Sequence, residues 1–341
     1  MRRRLLTFLV GAGLTSAGLG FTAAMPANAA PPRVDYSATI AAIEAFQNTD
    51  QRLQDVGWRL ASANAPFCQK VIPSIGLQVQ DVASFTRPAI AKAALRLDGA
   101  FAVQSVAKGS PAAMGYAFAR NREIARLGGQ DPSTWPAKDK LDWQRWVRTQ
   151  KHITSELEQS GSIAVQFGDG EVKILNGVPI CDVRFELMSG TSRAVSNTER
   201  VAIGDEFPSF NWAEEDEFAG VVAHEMAHTV LGHTVWLDRN KRKRKHVRAT
   251  EREADRLMPW LLANAGYDPR AAIRFMERWG KKHGRSFLTR SFAYEGWDER
   301  AEHIAAEAAI VEKMMANEGK ADWKTHFRRE INPAGGLAKN R

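Results

Sequence analysis

"FAGVVAHEMAHTVLGH", residues 218–233, sets three histidines and a glutamate inside an apolar run. Burying such groups costs several kcal/mol each unless something satisfies them. Phe218, Val221, Val222, Val230 and Leu231 supply the apolar setting of a buried helix. On that helix His224 and His228, at i and i+4, stand about 40° apart and point the same way. Two imidazole nitrogens so placed can hold one tetrahedral Zn²⁺, with Glu225 projecting beside it towards a water. His233 is nine residues past His224, about 180° round a continuous helix, so it is expected to face away as a surface or second-layer group. Gly232 falls four residues after His228 rather than three, which also departs from the metzincin pattern.

A catalytic zinc site needs a third protein ligand and an open fourth position. The candidate lies in "RATEREADRLMPWLLANAGYDP", residues 248–269. Thr250 and Glu253 read as a capping box that starts a helix at Glu251. Glu251 and Asp255 then share one face of its first turns, with Glu251 able to complete a His-His-Glu set. Asp255 is placed to accept a hydrogen bond from a ligand imidazole and fix its tautomer. The plainer reading is a row of solvated charges balancing Arg252 and Arg256.

Taken together, these residues resemble metallopeptidase family 48, which includes the HtpX and CAAX prenyl protease types. The shared features are His224-Glu225-x-x-His228 with Gly232-His233 after it, Glu251-Arg252-Glu253-Ala254-Asp255, and Gly266-Tyr267-Asp268-Pro269 at a helix start. The resemblance implies that His224, His228 and Glu251 bind one zinc ion per chain and that a peptide bond is hydrolysed. Glu225 is then the general base and polypeptides are the substrates. The resemblance covers roughly residues 181–317. The family's Thr-His-Pro segment is replaced by Tyr294 and Glu295, while the Arg six residues on is kept as Arg300. Tyr294 and Arg300 are the implied oxyanion donors. His303, one turn past Arg300, reads as a surface residue.

Outside this half the chain changes character. Residues 37–63 carry Ile40, Ile43, Phe46, Leu53, Val56 and Leu60 at helical spacing, with Ser37 as N-cap and Pro66 as the stop. Residues 74–180 are β-rich, and "SIAVQFGDGEVKIL" reads as a hairpin turning at Gly168-Asp169-Gly170. Val103 to Val106, Gly109 to Ala113 and Ile124 to Gly129 resemble a PDZ domain of the bacterial protease type. Arg122 and Glu123, however, stand where a Gly-Asp pair is usual. The expected class is α+β: a mainly helical zincin-type peptidase domain with a small antiparallel sheet, formed by residues 35–73 and 181–317. A PDZ-like insert over 74–180 interrupts it, and 318–341 is expected to be a loose tail.

Arg2 to Arg4, the apolar stretch from Leu5 to Ala24 and Ala27-Asn28-Ala29 read as a signal peptide over residues 1–29. The chain is therefore expected to be periplasmic or secreted, with a retained signal anchor as the alternative. The adjacent arginines also permit twin-arginine export. Removing 1–29 takes three arginines and no acid, so the net charge falls from +8 to +5 and demands no nucleic-acid partner. Cys68 and Cys181, an isolated pair in an exported chain, are expected to form a disulfide. Seven of the ten residues 239–248 are Lys or Arg. The run reads as a solvated loop between the ligand helices, or as a peripheral contact with anionic membrane. His246 within it is not an expected ligand. The rival to a peptidase is a protease-like binding or holdase protein that uses its PDZ-like insert.

Overall fold

Helix α1 (Ser37–Ala63) begins the described chain. The computed structural model describes residues 35–283 and 296–337, so the signal-peptide segment lies outside the described residues. Ile43, Leu53, Val56 and Leu60 are buried along α1 at the expected spacing. Ser37 is the first helical residue rather than the N-cap; Tyr36 holds that place and no side chain caps the end. Gln47, Asp50 and Gln54 are also buried, because a second face of α1 meets the β-rich segment. There Asp50 accepts hydrogen bonds from Ser105 Oγ at 2.8 Å and Gln104 Nε2 at 2.7 Å.

After α1 the chain enters strand β1 (Val71–Ser74) and then the insert. This comprises β2 (Leu77–Asp81), α2 (Pro88–Leu95), β3 (Phe101–Val106), β4 (Ile124–Leu127), α3 (Trp143–Ser160), β5 (Ser162–Phe167) and β6 (Val172–Asn176). β2 pairs with β3, and β4, β5 and β6 form an antiparallel sheet whose β5–β6 hairpin turns where the sequence predicts. Alternation along β5 buries Ile163, Val165 and Phe167 against Leu157 of α3 and Phe101 of β3. Strand β7 (Val178–Cys181) returns antiparallel to β1, with Val71 opposite Cys181. The Cys68–Cys181 disulfide lies beside this zipper and spans 113 residues. Both ends of the insert are thus held at one place, and the insert keeps its own apolar core.

The larger core receives α1 and the rest of the chain. Strands β8 (Arg184–Met188), β9 (Ala194–Ser196) and β10 (Arg200–Gly204) form a sheet in the order β8-β10-β9. The expected small antiparallel sheet is mixed: β10 runs parallel to β8 and antiparallel to β9. The mixture arises because β9 turns back beside β10, leaving β9 at the edge. The helices among the described residues that follow are α4 (Glu215–Val230), α5 (His233–Arg239), α6 (Arg244–Asn264), α7 (Ala271–His283) and α8 (Trp297–Glu318), with a short α9 (Trp323–His326). Phe218, Val222 and Met226 of α4 meet Leu257, Met258 and Leu261 of α6 and Ile304 of α8 in this core.

Two expectations fail here. Helix α6 starts seven residues before Glu251, so Thr250 is interior and donates its hydroxyl to Val247 O at 2.9 Å rather than capping. Ala249 supplies the reason, since it packs with Trp236, Leu237 and Ile331 and favours helix despite the basic residues at that end. Residues 319–337 are docked rather than loose: Trp323 and Phe327 join the larger core and Ile331 is 1% exposed. Among the described residues no helix is long and apolar enough to cross a membrane.

Closing a loop of this length with a disulfide is worth roughly 4–5 kcal/mol in the chain-entropy account. Replacing Cys68 and Cys181 together by alanine is expected to lower stability by about 2–5 kcal/mol. Urea denaturation followed by tryptophan fluorescence measures this, and an unchanged midpoint would contradict the role given to the bridge.

Candidate metal centre

The site is built from two helices. His224 and His228 stand one turn apart on α4, and their Nε2 atoms are 3.3 Å from each other. Helix α6 brings Glu251, whose Oε2 is 3.6 Å from His224 Nε2 and whose Oε1 is 3.5 Å from His228 Nε2. A four-coordinate cation with bonds of ~2.0–2.2 Å has ligand–ligand edges of about 3.3–3.6 Å. The imidazole–imidazole separation falls in that range, and so does the distance from each imidazole to its nearer Glu251 oxygen, Oε2 for His224 and Oε1 for His228. His224, His228 and Glu251 are therefore a group able to hold a metal ion. Helix α4 is also packed closely on α7, where a Cβ at Gly220 would lie 3.3 Å from Phe275 Cβ.

Behind His224 stands Asp255, with Oδ1 3.1 Å from Nδ1 although off the ideal hydrogen-bond line. Arg300 on α8 clamps Asp255 through two hydrogen bonds of 2.6 and 2.8 Å. Its Nη2 is also 3.8 Å from Glu251 Oε2. Arg300, expected at an oxyanion, is thus 4% exposed and committed to the carboxylates of α6. Tyr294, the other expected oxyanion donor, lies outside the described residues.

Burial alone would depress the His224 imidazole, but Asp255 and Glu251 outweigh it and raise it to about 10. Burial likewise opposes ionisation of Glu251, yet the two imidazoles and Arg300 pull it down to about 2. Asp255 is lowered to about 2 against its burial by Arg300 and His224. Burial keeps His228 below its ordinary value.

His233 does not face away. Helix α4 stops at Leu231, Gly232 takes a left-handed conformation with φ +70°, and α5 starts anew at His233. The break turns the His233 ring back, so that its Nδ1 is 2.9 Å from His228 Nδ1. Its Nε2 is 2.9 Å from Glu253 Oε2, and the ring is 1% exposed. Both His233 and Glu253 escaped the periodicity argument, although Gly232 signals a helix stop.

The triangle opens into a cleft of about 710 Å³ that also exposes Glu225. Glu225 is half-buried and makes no hydrogen bond or salt bridge to another described residue. Edge strand β9, Val221, Trp279, Thr234, Leu237 and Arg242 line the same cleft. The basic run 239–248 spans the end of α5, a loop and the first turn of α6, with Lys241, Lys243, Arg244 and Lys245 exposed. His246 is buried, places Nδ1 3.0 Å from Asn240 O and stays apart from the ligands. His303 is exposed, as expected.

No family model, no curated protein and no solved structure matches this chain. The functional reading accordingly rests on the residues and their geometry.

At pH 7 the metal-free site holds a proton on His224 that a cation must displace. Metal binding at pH 7 is expected to release about one proton. The affinity is expected to rise with pH until the His224 value of about 10 is passed. Calorimetry in two buffers of different ionisation enthalpy counts the proton, and a buffer-independent heat would speak against this assignment.

Proposed function

We propose that the chain is a zinc-dependent endopeptidase that hydrolyses exported or misfolded polypeptides. The observation that carries this reading is the His224–His228–Glu251 triangle opening into a cleft beside Glu225. Two imidazoles and one carboxylate are a donor set suited to zinc, and three protein ligands leave a fourth position for water or substrate. When bound there, zinc would supply Lewis acidity to the scissile carbonyl and lower the pKa of water far below its bulk value, towards ~7.

The chain's own residues do the rest. Glu225 accepts a proton from the attacking water and returns it to the leaving amine, a contribution of typically ~10²–10⁴ in rate. Asp255, held by Arg300, keeps the His224 ring turned so that Nε2 faces the site. Among the described residues strand β9 is an edge strand that lines the cleft, where an extended polypeptide backbone can hydrogen-bond. The half built from α4, α6 and the β8-β10-β9 sheet is read as zincin-type. The insert is read as PDZ-like because β3, the one-turn segment Pro111–Ala113 and β4 follow in the order that the resemblance expects. The Cys68–Cys181 disulfide is compatible with an exported protein.

The purified chain is expected to contain zinc, to cleave unfolded casein, and to lose that activity with a zinc chelator. Glu225→Gln is expected to keep the metal and lower cleavage by at least about 10²-fold. Metal-loaded Glu225→Gln that cleaves at the parental rate would remove Glu225 from the mechanism. Casein binding with no chelator-sensitive cleavage would instead favour a holdase.

A further inference from the structure

A zinc-ligating histidine must present a lone pair to the metal, so its other ring nitrogen must carry the proton. For His224 the group behind that second nitrogen is Asp255, a plain acceptor. For His228 it is another imidazole, that of His233, which can donate or accept there. A second ring is an ambiguous partner unless something fixes its own tautomer.

Glu253 fixes it. Its Oε1 accepts the backbone N–H of Glu330 and, at 2.8 Å, that of Ile331. Its Oε2 accepts Arg329 Nε–H at 2.8 Å and faces His233 Nε2 at 2.9 Å. Three donors converge on this group and hold it as an acceptor-only carboxylate, so the fourth partner, His233 Nε2, must carry a proton and donate it. In a neutral His233 ring Nδ1 is then the acceptor. His228 Nδ1–H must donate to it across 2.9 Å, which leaves the His228 Nε2 lone pair facing Glu251 and His224. The opposite arrangement would put a proton on His228 Nε2, 3.3 Å from His224 Nε2, where it blocks a cation.

The anchor of this chain of donors is the C-terminal segment. Arg329 Nη2 also donates to Leu231 O at 3.1 Å, tying the segment to the point where α4 ends. On one side of Arg329, Phe327 is held in the larger core. On the other, Ile331 packs with Trp236 and Ala249, and Trp236 Nε1 donates to Asn332 O at 2.7 Å. Glu330 is gripped in turn by Arg252 at 2.6 Å and Arg256 at 3.2 Å.

We infer that His233 is a positioning residue for the metal centre, locking His228 in its metal-binding tautomer, and that Glu253 and residues Arg329 to Ile331 hold His233 in that state. The two ligand histidines are therefore backed alike, each by a carboxylate clamped by an arginine, one directly and one through an imidazole. The inference rests on the metal-holding part of the proposed function and not on its peptidase part.

The test uses the full chain and reads Zn²⁺ affinity by competition with a chromophoric chelator, together with the visible absorption of the Co²⁺-loaded protein. His233→Phe keeps a ring of similar shape but can neither accept from His228 nor donate to Glu253. It is expected to raise the Zn²⁺ Kd by about 10–100-fold and to change the Co²⁺ spectrum. His233→Gln carries an acceptor and a donor on one amide and is expected to restore most of the affinity, which a purely space-filling role would not require. Arg329→Met is expected to raise the Kd in the same direction although it touches no ligand. Glu253→Gln combined with His233→Phe is expected to be no worse than His233→Phe alone, because both act through one path. A folded His233→Phe protein with parental Kd and spectrum would overturn the inference. If that variant does not fold, a parental Kd in both Glu253→Gln and Arg329→Met overturns it. Parental protein that binds zinc yet leaves casein intact would count against the peptidase reading alone. Parental protein that binds no divalent metal would end both.

Discussion

Two imidazole lone pairs and a carboxylate facing one another across 3.3–3.6 Å form the constraint on which the rest of this structure turns. Electron-rich atoms at that separation repel in a low-dielectric site unless a proton or a metal cation lies among them. Without metal, the proton that Asp255 and Glu251 hold on His224 serves. The far side of each imidazole faces a partner, so the near side is free for a cation once that proton leaves. Such a cluster is costly to bury unless an ion completes it, and the apolar faces of α4 and α6 bear that cost.

Helix α6 is the organising element. Within five residues it carries Glu251, Glu253 and Asp255, and each serves a different partner: the ligand triangle, His233 and His224. Glu251 and Asp255 share a face because they are one turn apart, while Glu253 leaves from another side and meets α5 and the C-terminal segment. Arg300 from α8 neutralises Asp255, and Arg329 from the C-terminal segment neutralises Glu253. A stretch that looks like alternating surface charge instead has Glu253 and Asp255 buried and Glu251 half-buried at the cleft.

The β-rich insert stands apart energetically. Its core of Val79, Phe101, Leu127, Val165 and Phe167 is separate from the core that carries the ligands. Its two ends meet at the β1–β7 pair and the disulfide, so its long excursion adds little strain at the point of insertion. Contact with the remainder includes polar side chains of α1, notably Asp50 and Gln47, which hydrogen-bond to Ser105, Gln104 and Gln80, and Ala107 packed in the larger core.

Local spacing by itself determined that α1 and α4 are helices, that β5 and β6 form a hairpin, and that His224 and His228 share a face. These follow from periods of 3.6 and 2 and from turn residues, which act over a few positions. The motif spacing likewise brought out Glu251 and Asp255, since one turn separates them wherever the helix begins. What the periodicity could not reach were His233, Glu253 and the docked C-terminal segment. His233 was misplaced because a single left-handed Gly232 resets the direction of the chain, and an argument from continuous helix angle ends there. Glu253 read as a cap because Thr250 precedes it by three; packing of Ala249 on Trp236 and Ile331 extended the helix and freed Glu253 for another task. The segment 318–337 has little periodicity to read, and only contact with Glu253 and the larger core gives it a place. Tertiary structure alone decided these points, because each depends on groups 20 to 80 residues apart whose meeting no local pattern encodes.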